Sequence, residues 1–129
     1  MFKGILFNNI LFVALGGALG SVCRYLLSAW VQQQSHSVFP IGTMSVNVAG
    51  CLLIGFISGW AGGHTWLSAE TRLLLTTGFC GGFTTFSTFA NESLSLCHGH
   101  ALSAALYVGG SVMLGVLSAA LGMQLGKMF

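Results

Sequence analysis

The chain has 129 residues, of which 54% are hydrophobic and 5% charged, and its formal net charge is +2. A soluble domain carries roughly 25% charged residues, so four Lys/Arg and two Asp/Glu cannot furnish an aqueous surface. Lipid must cover most of the molecule; the length points to one domain, and the small positive balance gives no basis for nucleic acid as a partner.

In chain order, the first apolar stretch covers about 5–31. Lys3, the apolar run and the small residues up to Cys23 have the outline of a signal peptide. The stretch continues through "RYLLSAWV", however, and three further long apolar stretches follow; it reads as a retained first span. "QQQSHS" makes a polar turn, and Pro40 precedes the second span at 41–61. The loop "GGHTWLSAET" follows, with Trp60 and Trp66 placed as interfacial anchors. The third span covers 72–96, "CHGHA" turns the chain, and the fourth covers 102–123. The expected fold is an all-α membrane protein of four transmembrane helices, in one domain over 1–129.

Cys23, Cys51, Cys80 and Cys97 lie in or at the ends of apolar segments without CxxC spacing, and read as small packing residues. His98 and His100 in "CHGH" read as solvated turn residues, since the segment does not supply a closed ligand set. With four spans, the termini and the 62–71 loop share one side, where Lys3, Arg72 and Lys127 lie. Only Arg24, inside the first span, stands for the other side. So thin a positive-inside bias permits insertion both ways and hence an antiparallel pair of identical subunits. Four short helices leave little room for a central pore, so a transport path is expected between subunits.

Treated as a helix, the third span carries Thr77, Gly81, Thr84, Thr88, Glu92 and Ser95 on one face. Tyr107, Ser111, Gly115, Ser118 and Gly122 form a similar face on the fourth span, and Thr43, Asn47 and Gly50 on the second. Helix packing accounts for most such Gly, Ser and Thr positions. It accounts less well for Asn47 and Glu92, because intramembrane Asn and Glu are costly and mark partners or pathways.

Gly78, Gly81 and Gly82 weaken a helix, which leaves two readings open for 78–85. One is a break whose freed carbonyls face a cation; the other is a continuous helix with a glycine seam. Phe83, Phe86 and Phe89 are lipid-facing or core rings, or rings whose electropositive edges meet an anion. The Lys/Arg ring that other anion pores use is absent from the spans.

"GGALGSVCR" at 16–24, "GTMSVNVAG" at 42–50 and "TTGFCGGFTTFSTFANE" at 76–92 together resemble the Fluc/CrcB family of bacterial fluoride channels, over nearly the whole chain. The resemblance implies a third helix broken near its middle and an antiparallel, dual-topology homodimer in the bacterial inner membrane. Two pores in that dimer would export fluoride passively and protect against its toxicity. It implies Asn47 as a pore donor, Phe86 and Phe89 as pore-lining ring edges, and Thr88 and Ser111 as members of a polar track. Tyr107 and Glu92 lie beside that track, and Thr43 is one turn before Asn47. It further implies a structural Na+ at the dimer interface, held by main-chain carbonyls of Gly81 and Thr84, and places Arg24 at the pore vestibule. The competing readings are a small four-helix multidrug exporter, whose acidic residue is missing from this first span, and a non-transporting membrane subunit.

Overall fold

Hydrocarbon offers a backbone no water to pair with, and a helix meets that demand by pairing every N–H and C=O within its own segment. The computed structural model describes residues 2–129, which are helical with short turns and contain no strand. Helix α1 spans Phe2–Gln34 and α2 spans Ile41–Gly62. The third crossing is built in pieces: α3 (Ala69–Leu73), a π-helical stretch (Leu74–Cys80), α4 (Gly81–Phe83) and α5 (Phe86–Cys97). Helix α6 (Ala101–Lys127) completes the chain. Among the described residues, α1, α2 and α6 are the single helices long and apolar enough to cross a membrane. Their exposed large residues, such as Leu19 and Leu26 on α1 and Val116 and Leu121 on α6, are the surface that lipid covers.

Two glycine seams hold these helices together. Gly55 and Gly59 on α2 face Gly122 and Gly126 on α6, each pair four residues apart. A methyl on Gly55 would overlap the Ala119 carbonyl, and one on Gly122 the Leu52 carbonyl. The backbones therefore touch, which is the arrangement that small residues at four-residue spacing permit in lipid. The second seam sets Gly16 and Gly20 of α1 against the π-helical stretch and α4. A methyl on Gly20 would overlap the Phe79 carbonyl, and Gly78 and Gly82 meet the backbone of Gly16 and Gly17 in return.

The third crossing is interrupted, and at threonines. Gly78 lies in the π-helical stretch and Gly81 and Gly82 in α4 with helical geometry, so the glycines themselves do not open the helix. Thr84 (φ −93°, ψ 160°) and Thr85 (φ −148°, ψ 119°) are extended instead. The periodicity that assumed one continuous helix is broken here, and its polar face divides in two, as described below. Each helix start has a local cause. Pro40 precedes α2, the Ser68 hydroxyl accepts from the Thr71 N–H to cap α3, and Thr85 caps α5. Among the described residues Gly99 alone takes a positive φ, +122°, in the turn into α6, a conformation glycine adopts without strain.

Candidate functional site

Two extended residues in a membrane helix free backbone groups that must find partners. In a continuous helix the Thr85 N–H would donate to Gly81 O and the Phe86 N–H to Gly82 O. Instead, Thr85 N–H donates to Asn47 Oδ1 at 2.8 Å, and Asn47 Nδ2 donates to Thr85 O at 3.1 Å. One side-chain amide thus clasps both backbone groups of Thr85. Arg24 Nε donates to Gly82 O at 2.9 Å. The Thr85 hydroxyl accepts from the Thr88 N–H at 3.2 Å and donates to Thr88 Oγ1 at 3.0 Å. Thr84 Oγ1 donates back to Cys80 O, as its N–H does. An amide carries two N–H groups, so Asn47 keeps one beyond this clasp, and Thr88 keeps its own hydroxyl proton.

A groove of about 530 Å³ opens at the break. Asn47, Gly81, Thr84, Phe86, Phe89 and Ser111 are all on its wall. Phe86 is 79% exposed, and its ring centroid stands 5.8 Å from that of Phe89. Ser111 Oγ is buried and without a hydrogen-bond partner. A buried hydroxyl left alone costs free energy, so this atom marks a place where a further acceptor or donor fits.

Toward the end of the bundle that holds the α1–α2 loop, Phe89 packs on Tyr107 at 5.2 Å between centroids. Tyr107 is fully buried and donates its hydroxyl to Glu92 Oε2 at 2.9 Å, while Thr43 Oγ1 donates to Glu92 Oε1 at 2.8 Å. Phe39 meets Tyr107 edge-on, at 5.5 Å and 78°. Thr43 and Glu92 in turn line a second groove, of about 320 Å³, with Ser28, Gln32 and Ser95. Gln32 braces that end by accepting the Gly42 N–H and donating to Phe39 O.

The fold therefore gathers Asn47, Phe86, Phe89, Ser111, Gly81 and Thr84 at one groove, and Thr43 and Glu92 at another, with Tyr107 between them. Thr88 borders neither groove and sits one turn after the break, tied to Thr85. Arg24 also lines neither and lies against the last turn before the break. Sequence reasoning passed over Thr85, although a threonine three residues before Thr88 has the form of an N-cap. It also passed over Cys51 and Cys80, which line the first groove; all four thiols are free. Away from these grooves, Trp60 and Trp66 form a T-shaped pair beside His64, and Arg72 caps the end of α2 through Ala61 O.

The chain is thus a small all-helical membrane protein whose third crossing has a side-chain-stitched break, flanked by a groove of hydroxyls and rings. The sequence matches the family described as CrcB-like protein, Camphor Resistance (CrcB), over residues 11–123. The chain belongs to the CrcB family, as the three motifs led us to expect. A relative from Acidobacterium capsulatum, named fluoride-specific ion channel FluC, is 46% identical over 118 residues, 91% of this chain and 94% of its own. The Chlorobaculum tepidum protein of that name is 50% identical over 123 residues, 95% of this chain and 97% of its own. One from Rhodococcus jostii, named fluoride-specific ion channel FluC 2, is 50% identical over 118 residues, 91% and 97% of the two chains.

Proposed function

We propose that this chain is a fluoride-specific ion channel of the bacterial inner membrane, exporting fluoride passively. The observation that supports this most is the 46–50% identity, over nearly the whole chain, to relatives named fluoride-specific ion channels; within the structure it is the buried, unpartnered Ser111 hydroxyl, on one groove wall with Asn47, Phe86 and Phe89. A small anion needs donors, and these residues offer them without a fixed cation that would trap it. Asn47 has a second N–H, Ser111 has a free hydroxyl proton, and the edges of Phe86 and Phe89 are electropositive; Thr88, one turn after the break and off the groove wall, keeps a further hydroxyl proton. Further along, Thr43 and Tyr107 direct their hydroxyls at Glu92. Fluoride on that stretch meets them only by replacing a carboxylate oxygen as acceptor.

The first groove is open along one side of a single chain. A second, antiparallel copy covering it would close two such paths, in line with the thin charge bias of the loops. The Na+ implied at that interface fits the break in one respect. Gly81 O has lost the Thr85 N–H that a helix would give it, and Thr84 O lies at the extended step. Hard monovalent and divalent cations take such oxygens; bound there, Na+ would balance carbonyl dipoles that no N–H reaches.

Fluoride efflux from liposomes holding the purified protein, read with a fluoride electrode and repeated with chloride, tests the reading. Efflux of fluoride with chloride retained is the expected result. Proton-coupled uptake of cationic drugs would replace the reading with an exporter, and no flux of either kind with a non-transporting subunit.

A further inference from the structure

We infer that Arg24 is a positioning residue that clamps the break in the third crossing, using its Nε–H in place of the backbone N–H of Phe86. The inference rests on the fluoride-channel reading only for its flux readout. In an unbroken helix Gly82 O would accept from Phe86; the extended Thr84 and Thr85 carry that N–H away. Arg24 Nε stands at 2.9 Å from the same oxygen, from a helix 58 residues distant in sequence. Its delivery there follows from the seam. Gly20, one turn earlier on α1, presses the backbone of Phe79 and Phe83, and a residue four positions on shares its face. A charged donor makes a stronger bond than a neutral one, as suits a carbonyl inside a membrane. Neither acidic residue competes for Arg24: Glu70 lies in the first turn of α3, and Glu92 is held by Thr43 and Tyr107. Asn47 holds Thr85 from the opposite helix, so the break is gripped from α1 and α2 at once.

Side-chain length separates this role from that of a charge in a vestibule. Glutamine puts Nε2 the same number of bonds from Cα as arginine's Nε, without charge; lysine keeps the charge and carries its nitrogen one bond further out. The clamp predicts that Arg24→Leu lowers fluoride efflux more than about tenfold. It further predicts that Arg24→Gln restores efflux to within about threefold of the native rate and exceeds Arg24→Lys. Amide exchange at Thr84 and Thr85 should quicken in Arg24→Leu and recover in Arg24→Gln. Efflux kept by lysine and lost with glutamine overturns the clamp in favour of charge, and native efflux or native exchange in Arg24→Leu overturns it outright. If the native protein itself passes no fluoride, the channel reading falls and the exchange comparison still decides the clamp.

Discussion

The two glycine seams look alike and end differently. Between α2 and α6, four glycines bring two helices into backbone contact, and both run without a break. Between α1 and the third crossing, four glycines achieve the same approach, yet the partner helix contains a π-helical stretch and then stops for two residues. The second seam therefore needs side chains to complete its hydrogen bonds: Arg24 from α1, Asn47 from α2 and the hydroxyl of Thr85. Close packing and a break are separate devices here. Glycine supplies the approach; extended threonines, held from outside, supply the break.

If that division is right, the uninterrupted seam should tolerate no added side chain, although it needs no outside group to complete its hydrogen bonds. Gly55→Leu or Gly122→Leu drives a side chain into the Ala119 or Leu52 carbonyl, with backbone and not a flexible chain end in the way. Overpacking typically costs about 1–3 kcal/mol and more where nothing can move, so these variants should yield little folded protein, measured by monodisperse recovery in detergent. Asn47→Leu comes next. It leaves the N–H of Thr85 unpaired, at about 1–3 kcal/mol, and takes the second donor from Thr85 O, which keeps its place as the N-cap acceptor of α5; it should lower thermal stability and abolish fluoride efflux. Asn47→Asp keeps the acceptor for Thr85 N–H and loses the donor to Thr85 O. It should recover part of the stability while efflux stays low. Equal stability in native, Leu and Asp forms would mean that the clasp does not hold the break.

Phe86→Ile and Phe89→Ile test the break's function apart from its stability. Phe86 is the first residue of α5 and mostly exposed, so its loss should leave thermal stability nearly unchanged. Fluoride efflux should fall by about tenfold if the ring edges stabilise the passing anion by about 1.4 kcal/mol. Unchanged efflux in both variants would remove the rings from the path.

Hydropathy was enough to read three of the crossings, because α1, α2 and α6 are each long, apolar and continuous. The third was placed at 72–96 as well, but its interruption was not located, since helix propensity pointed at Gly78, Gly81 and Gly82 rather than at Thr84 and Thr85. The true interruption depends on Asn47, 38 residues from Thr85, and no local pattern carries that pairing. Four-residue glycine spacing identifies a contact face but not its partner, so neither seam could be assigned from sequence. The polar face of the third span was misjoined for a related reason. A period of 3.6 runs from Thr77 to Ser95 only if the helix is regular; with the π-helical stretch and the break, Thr77 and Gly81 border one groove, Glu92 and Ser95 another. Thr43, Glu92 and Tyr107 were each singled out as polar, but that they form one hydrogen-bonded set required three helices to be in place.

The smallest expected effect is also the sharpest on the division of labour among glycines. In "GFCGGF", Gly78 and Gly82 meet the backbone of α1, whereas a methyl on Gly81 would find nothing nearer than Thr76 O at 3.9 Å. Alanine favours a helix over glycine by about 1 kcal/mol, so Gly81→Ala should leave the stability of the single chain unchanged or raise it by up to that amount. Gly82→Ala should lower it, because the Gly17 carbonyl lies within overlap. Thermal melts of the two variants in the same detergent make the comparison. Equal losses would mean that Gly81 also packs against something, and that it meets it from outside the chain. A loss for Gly82→Ala alone would mean that Gly81 has no packing role and that its surroundings stay open beside the carbonyl, as the proposed cation site requires.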